Sequence, residues 1–268
     1  KIGYVVRLGR DKTDFVITEA FMKCACSTRS PCAHVVGMTS LHVLHEDNHV
    51  LAVSKAAGLL TQAARAGDEN CLDLAREYIR ERYDKKGQVY LGLVHRLDRN
   101  VSGAVLFART SKAASRLSRA FAQRSVAKHY LAVVEGSARD VDSLQHRLGP
   151  RPEGRGVCER ADGKEARLSY RCLGRSRGRS WLEVRLETGR KHQIRAQLAL
   201  AGLPLVGDPL YGSHEPSIRR PALHSWWLEL AHPIGERGQL VVTAPVPQDL
   251  QELVSGAGWL VPDQPGLV

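Results

Sequence analysis

The decapeptide VHRLDRNVSG, residues 94–103, sets a carboxylate between two guanidinium groups directly after an apolar segment. Asp98 follows the predicted strand VYLGLVH, and Arg96 and Arg99 flank it. A rigid strand end can hold such a side chain still in a cleft, and nearby cations favour the ionised carboxylate. In that form it can act as a nucleophile or stabilise a developing cation. The alternative is a surface salt bridge, which contributes about 0 to 1 kcal/mol.

A second charged motif, ETGRKHQIR at residues 187–195, leads into the predicted helix KHQIRAQLALA. Arg190, Lys191 and His192 crowd the first turn of this helix, where the macrodipole favours negative charge. A sequence that accepts this local cost indicates an anionic ligand, either a phosphate or a carboxylate. Arg195 lies one turn beyond Lys191, from where it can form a bidentate pair with a carboxylate. A solvated basic face is the alternative.

The charge of the whole chain also favours an anionic partner. Its 268 residues contain 39 Lys and Arg against 28 Asp and Glu, for a net charge of +11. Nucleic acid is the first candidate, and solubility alone is the second explanation. The six cysteines are too sparse and uneven for a disulfide framework, which predicts reduced thiols and a cytoplasmic location. No apolar run reaches the roughly 18 residues of a spanning helix, so we expect no membrane association.

The periodicity of apolar residues predicts a mixture of helices and hairpins. LHVLHEDNHVLAVSK, residues 41–55, predicts a hairpin that turns at Asp47 and Asn48. Asn70 caps a predicted helix over 71–83, and SKAASRLSRAFAQR predicts a second amphipathic helix. Further along, KHYLAVVEG, EARLSYRC and SWLEVRLE alternate again, so hairpin-like strands dominate the second half.

The chain divides into three parts by pattern. Residues 146–180 are rich in Arg and Gly and predict a solvated loop, with RNA contact as the sharper interpretation. The last residues are rich in Pro and Gly and look loose. The predicted parts are an N-terminal extension at 1–40, a catalytic body at 41–245 and a C-terminal tail at 246–268.

Several patterns suggest cofactor chemistry that their context argues against. CACSTRSPCAH, within residues 1–40, places three cysteines near His34 but lacks the second paired knuckle of structural zinc sites. His45 to His49 match H-E-x-x-H, which binds zinc on a helix, whereas these residues predict a hairpin. HRLD lacks the spacing of a kinase H-R-D loop, and no Walker A sequence is present. We therefore expect neither a metal nor another cofactor.

Taken together, the segments HRLDRNVSG, KHYLAVVEG, TGRKHQIR and VGDPLYG, in this order, closely resemble the RluA-type branch of the RNA pseudouridine synthases. The resemblance runs from about residue 41 to 235 and includes VSKAAGLL and LHSWWLELAHP. It implies an α+β fold with a long mixed, mainly antiparallel sheet, flanking helices and a central active-site cleft. The S4 RNA-binding module that often precedes this domain is not recognisable in residues 1–40.

The resemblance also implies roles for individual residues. Asp98 corresponds to the essential aspartate, Tyr130 to the tyrosine that packs on the target base and takes part in proton transfer, and Arg195 to the arginine that pairs with the aspartate. Arg96 corresponds to the arginine that fills the gap left by the flipped base. We expect RNA contacts from Arg96, Arg99, Lys55, Arg190, Lys191 and His192.

The expected function is isomerisation of specific uridines in structured rRNA or tRNA to pseudouridine, by a monomer that needs no protein partner. Asp98 either adds to the sugar carbon or acts by way of a glycal intermediate, and both routes require its deprotonated form. One rival is a catalytically idle RNA-binding protein of the same fold. A second is a glycosidase or nucleosidase, although that class usually needs two carboxylates flanking the bond.

Overall fold

The computed structural model describes residues 41–212 and 218–267, and the eleven strands among them join one mixed sheet. The strands are β1 His42–Glu46, β2 Val50–Lys55, β3 Gly92–Leu93, β4 Ser102–Ala108, β5 Ala127–Glu135, β6 Val141–Pro150, β7 Val157–Glu159, β8 Lys164–Ser176, β9 Arg179–Leu186, β10 Leu223–Ala231 and β11 Gln239–Thr243. The helices are α1 Cys71–Arg82, α2 Ser111–Ala122, α3 Gln193–Leu200 and α4 Gln248–Ser255. Predictions for residues 1–40, including the cysteine-rich segment, lie outside the described residues.

The sheet runs in the order β1-β2-β4-β10-β5-β9-β8-β6-β7, with β3 paired to β4 and β11 paired to β10. The β4–β10 pair is parallel, and every other pair in the described part of the chain is antiparallel. This arrangement confirms the α+β expectation of a mixed, mainly antiparallel sheet with flanking helices. Each helix of residues 41–212 and 218–267 is too short or too polar to span a bilayer.

The predicted N-terminal hairpin is confirmed. β1 and β2 pair antiparallel, and the Asp47 carboxylate accepts the backbone N–H groups of His49 and Val50 at 2.7 Å each, which closes the turn. His45 lies in β1 and His49 lies in the turn. The two imidazoles therefore do not share a helix face, which the zinc-binding H-E-x-x-H arrangement requires.

Both predicted N-terminal helices form, and side-chain caps fix where they begin. Asn70 accepts the N–H of Asp73 at 3.0 Å at the start of α1, and Thr110 accepts the N–H of Ala113 at 3.2 Å at the start of α2. These caps satisfy backbone donors that have no partner within the helix. Strand β2 is buried on both faces. Its alternate residues pack into two separate cores, one shared with α1 and the other with α2.

A glycine allows the one parallel strand pair to approach closely. Gly103 in β4 has φ +123°, and a Cβ there would overlap the backbone of Ser225 in β10. The glycine of HRLDRNVSG is thus needed for packing and for backbone conformation. This close approach holds β4, the strand that follows Asp98, against β10 in the middle of the sheet.

Residues 146–180 are not the predicted solvated loop. They contain the end of β6, all of β7 and β8 and the start of β9. Arg177 and Gly178 both have positive φ, of 50° and 74°, and connect β8 to β9 as a two-residue hairpin loop. The Arg and Gly residues therefore lie partly in paired strands and partly in the connections at 151–156, 160–163 and 177–178.

The predicted loose tail instead packs against the sheet. α4 buries Leu250 and Val254 in a cluster with Trp181 of β9, and the Trp181 indole N–H donates to the Leu260 carbonyl at 3.1 Å. Beyond α4 the N–H of Gly266 donates to the buried Glu183 carboxylate at 3.1 Å. The tail is ordered because the sheet offers an apolar surface and one buried acceptor.

Glu183 gives this docking a testable pH dependence. Burial alone would raise its pKa, but hydrogen bonds from His129, Gly266, Leu267 and Arg171 lower that pKa from 4.5 to about 2. A carboxyl group with a lowered folded-state pKa stabilises the fold above its unfolded pKa, and this contribution is lost as pH falls through the folded value. We expect the free energy of unfolding to drop between about pH 4.5 and about pH 2, and the drop to be smaller in Glu183→Gln. Urea unfolding across this range measures it, and equal drops in both proteins would contradict the assignment.

Candidate active site

A cleft of about 660 Å³ lies across the middle of the sheet, between the loop after β3 and the segment before α3. Its volume is typical of a pocket for a small ligand or a single nucleotide unit. Six lining residues are Lys or Arg and two are Asp or Glu, so the cleft attracts anions. The cationic residues are Arg96, Arg124, Lys128, Arg190, Lys191 and Arg195, and the acidic ones are Asp98 and Glu187.

Hydrogen bonds from two side chains, Thr61 and Lys55, fix the backbone of the loop that carries Asp98. The Thr61 hydroxyl donates to the Leu97 carbonyl at 2.8 Å and accepts the Leu97 N–H at 3.1 Å. The Lys55 ammonium donates to the Arg99 carbonyl at 3.1 Å. A loop tied on both sides of the aspartate presents the carboxylate in one orientation, which is what a reacting group requires.

Lys55 does not have the predicted position for RNA contact. It is only 1% exposed, and its ammonium also donates to the carbonyls of Ala56 and Leu59 at 2.9 and 2.8 Å. An ammonium has three donors, and all three are used by the backbone. This geometry excludes a direct contact with RNA and gives Lys55 a role in holding the Asp98 loop.

Arg195 joins two carboxylates. Its Nη1 donates to Asp98 at 3.3 Å, while its Nε and Nη2 form a bidentate pair with Asp208 at 2.7 and 2.8 Å. Arg195 is 8% exposed and Asp208 is fully buried, whereas the Asp98 side chain keeps 22% of its surface open to the cleft. The predicted contact between Arg195 and Asp98 is present, but the bidentate partner is Asp208. Asp98 is therefore the carboxylate left free for a ligand.

Sequence reasoning missed Asp208, although it lies in the VGDPLYG segment. Its backbone is set by Gly207, which has φ +72° and where a Cβ would come within 2.5 Å of the Arg220 and Ile218 carbonyl oxygens. The buried carboxylate then accepts the N–H of Leu210 at 3.1 Å. An acidic residue next to a glycine that must adopt a positive φ, as Asp208 is next to Gly207, indicates a carboxylate held in one position. The sequence alone does not show that its partner is Arg195.

The helix α3 begins at Gln193, so Arg190, Lys191 and His192 precede it instead of forming its first turn. His192 has φ 51°, a left-handed conformation that ends the preceding segment abruptly. The Gln193 side chain accepts the Thr188 hydroxyl at 2.7 Å and the Arg190 N–H at 3.0 Å, which shapes the loop. The expected cost from cations in the first helical turn is therefore absent.

His192 contributes a second polar group beside Asp98. The Tyr211 hydroxyl accepts the Val157 N–H at 2.9 Å and lies 3.1 Å from His192 Nδ1. The Tyr211 oxygen accepts from Val157, so its hydroxyl proton is donated to Nδ1 of His192. Nδ1 is then the acceptor, and the proton of the neutral ring is assigned to Nε2. Nε2 lies 3.8 Å from the Asp98 carboxylate, and burial lowers the His192 pKa, so a neutral imidazole directs an N–H toward the aspartate.

The role of the Tyr211 hydroxyl can be tested by a single substitution. Tyr211→Phe keeps the ring, which lies between the Arg195 and Arg151 guanidinium groups at 5.1 and 5.0 Å, but leaves the buried Val157 N–H without an acceptor. We expect the free energy of unfolding to fall by about 1–3 kcal/mol and turnover to fall as His192 loses its orientation. Urea unfolding measures the first effect. The exposed Tyr90 provides the control Tyr90→Phe, and equal stabilities of the two variants would contradict the assignment.

Tyr130 lines the same cleft from β5. It is buried, and the Ser225 side chain lies near its hydroxyl. Burial raises the pKa of Tyr130 to about 12, with a further contribution from the negative charge of Asp98. The phenol therefore stays neutral near pH 7, able to donate a proton or a hydrogen bond and to offer its ring to a base.

The other predicted RNA-binding residues are distributed around the cleft. Arg96 and Lys191 are exposed at its lining, and Arg190 lines it while its Nε donates to the Glu165 carbonyl at 2.9 Å. Arg99 is exposed but does not line the cleft, and its Nε donates to the Gly58 carbonyl at 2.9 Å. In the described residues neither Arg96 nor Arg99 forms an ion pair with Asp98.

This arrangement suits a reaction at one carboxylate. Arg195 orients the Asp98 carboxylate, a neutral tyrosine lies nearby, and cations surround the opening. Asp208 is buried and tied to Arg195, and Glu187 meets Arg167 at 3.6 Å. Neither of these acids is placed as a free partner of Asp98, as a two-carboxylate glycosidase requires.

Comparisons with known proteins agree with this chemistry. Residues 49–200 match the model of the family described as RNA pseudouridylate synthase. The chain is 36% identical over 230 residues to ribosomal large subunit pseudouridine synthase D of Xanthomonas campestris pv. campestris, covering 80% of this chain and 69% of that protein. It is 35% identical over 248 residues to the protein of the same name from Nitrosomonas europaea, covering 88% and 71%.

A solved structure supports the fold independently. Human RNA pseudouridylate synthase domain containing 4 superposes with a TM-score of 0.69 at 19% identity, covering 83% of this chain and 95% of that one. At this identity the likeness concerns the fold alone. The family match covers more than half of the chain, and the bacterial relatives cover most of it. The chain therefore belongs to the RluA-type RNA pseudouridine synthases, the isomerases that convert uridine in RNA to pseudouridine.

Proposed function

We propose that this chain modifies uridines of large-subunit ribosomal RNA, with Asp98 as the catalytic residue. The observation that carries the proposal is the Asp98 carboxylate, partly open to a cationic cleft and hydrogen-bonded to the buried Arg195 at 3.3 Å. The choice of RNA rests on the bacterial relatives, which are named for the ribosomal large subunit. We further propose that the chain works in the cytoplasm as a monomer.

The cleft fits a uridine that has left its stack. A base in a duplex is out of reach of a side chain, so it must be everted at a cost of a few kcal/mol. In this proposal the base packs on Tyr130, and the exposed Arg96 fills the gap that it leaves. RNA is most easily read where bases are already splayed in loops and bulges, which favours such sites as targets.

The chemistry at Asp98 proceeds without a cofactor. The carboxylate adds to C1′ of the sugar, or removes the C2′ proton to give a glycal, as the bond from N1 to C1′ breaks. The released uracil turns and forms a bond from C5 to C1′, which breaks the ester to Asp98 or is accompanied by return of the C2′ proton, and the C5 proton leaves as N1 gains one. Arg195 and the Nε2–H of His192 hold the negative charge in place in both routes. The neutral phenol of Tyr130 is positioned to take part in proton transfer to the base. Arg99, Arg190, Lys191 and Arg96 supply cations for the RNA backbone.

The proposal is tested by incubating the purified chain with unmodified large-subunit ribosomal RNA made by transcription in vitro. We expect pseudouridine at a small number of positions, mapped by carbodiimide labelling and primer extension. Transfer RNA transcripts treated in parallel test the choice of substrate. Release of free uracil would instead support the nucleosidase rival, and RNA binding without any product would support the idle rival.

A further inference from the structure

Two cations in the cleft take no part in the arrangement around Asp98. Lys128 and Arg124 line the wall where the chain passes from α2 to β5. Lys128 lies in KHYLAVVEG, two residues before Tyr130. The role of its charge is not explained by the contacts that hold Asp98.

Lys128 is a buried cation without an anion. It is 9% exposed, and within residues 41–212 and 218–267 its ammonium makes no hydrogen bond or ion pair. Burial lowers its pKa to about 8, and the nearby charge that adds to this effect, Arg124, has the same sign. Lys55 shows the contrast, because it is also buried but donates to three carbonyls. Buried charges are normally paired, so the fold accepts a cost at Lys128 that an anionic ligand would remove.

The position of Lys128 identifies the kind of anion. Lys128 and Tyr130 are alternate residues of β5 and face the same side, about 7 Å apart along the strand. A nucleotide that packs its base on Tyr130 carries its phosphates one sugar length away from that base. Arg124 is exposed at the rim, and its contact with Glu165, at 4.0 Å, leaves its guanidinium able to join Lys128 on one phosphate.

We propose that Lys128 and Arg124 form a subsite for the RNA phosphate next to the everted uridine. The inference rests on the proposed function, because it takes the uridine to lie on Tyr130. It adds a group that fixes the register of the backbone in the cleft, whereas Asp98 acts on the nucleoside itself. Phosphate contacts of this kind position a nucleic acid without reading its sequence.

The test compares Lys128→Met and Lys128→Arg with the control Lys112→Met, since Lys112 is exposed on α2 and outside the cleft. The probe is the large-subunit ribosomal RNA transcript, bound on filters at several KCl concentrations. We expect Lys128→Met to weaken binding and raise KM about tenfold, to keep kcat within about twofold, and to lower the salt slope by about 1. Lys128→Arg and Lys112→Met should stay near wild type. The Tm of Lys128→Met should not fall, because an apolar chain replaces an unpaired buried charge.

A neutral linkage locates the contact. An RNA fragment with a methylphosphonate in place of the phosphate beside the modified uridine should bind wild type about tenfold more weakly, and the loss should be smaller with Lys128→Met, in which Arg124 alone faces that linkage. Wild-type affinity and salt slope in Lys128→Met would overturn the proposal, and so would a lower Tm with no change in salt slope. If wild type binds the RNA but forms no pseudouridine, the proposed function fails, while the affinity comparison still decides the subsite.

Discussion

Replacing Asp98 by asparagine is expected to reduce pseudouridine formation by at least about 10³-fold. The amide keeps the size of the side chain and one oxygen for the Arg195 N–H, now 3.3 Å away, but it loses the negative charge that either route of the reaction needs. The loop stays fixed by Thr61 and Lys55, which do not touch the aspartate side chain. Product is measured by mapping pseudouridine in the ribosomal RNA transcript over time.

RNA affinity separates loss of chemistry from loss of the cleft. Asp98→Asn removes a negative charge that faces a polyanion, so binding should be unchanged or slightly tighter. Asp263→Asn is the matched control, because Asp263 is exposed near the end of the chain and outside the cleft. Product at the wild-type rate in Asp98→Asn would refute the catalytic assignment. Weaker binding in that variant would show that Asp98 has a structural role.

The parts of the fold that could be predicted are those with local signals. The hairpin over 41–55 has its own turn acceptor in Asp47, and α1 has its own cap in Asn70. The prediction of a loop over residues 146–180 was wrong, because a high content of Arg and Gly indicates solvent exposure and not secondary structure. An antiparallel strand such as β8 can carry arginines along an exposed face. The start of α3 was misplaced by two residues because nothing local indicates the left-handed conformation of His192.

The site shows the same division between local and long-range information. Motifs similar to those of a known family predict roles for Asp98, Tyr130 and Arg195, and all three line one cleft in the structure. The burial of Lys55 depends on carbonyls that the loop after β3 brings to it, which the sequence does not reveal. The bidentate partner of Arg195 comes from the turn at Gly207 and Asp208, and no local pattern in that turn indicates which arginine it meets.

Replacing Asp208 by alanine is expected to lower the free energy of unfolding by about 3–5 kcal/mol. Among the described residues the variant leaves the Arg195 guanidinium, which is 8% exposed, with one hydrogen bond, to Asp98, and the Tyr211 ring at 5.1 Å. A buried charge that has lost its bidentate partner is costly. Arg195 should then shift toward solvent or onto Asp98, so turnover should fall together with stability. Urea unfolding gives the stability, and a loss below about 1 kcal/mol would contradict the pairing.

An exposed pair with the same geometry provides the control. Arg160 donates from Nε and Nη2 to Asp162 at 2.7 and 2.9 Å, as Arg195 does to Asp208. Solvent screens the exposed pair, so Asp162→Ala should leave the free energy of unfolding essentially unchanged. The double variant Arg195→Ala with Asp208→Ala removes both buried charges, and its loss should be smaller than the sum of the two single losses. Additive losses would mean that Arg195 and Asp208 stabilise the fold independently, and the positioning of Asp98 through Asp208 would then be wrong.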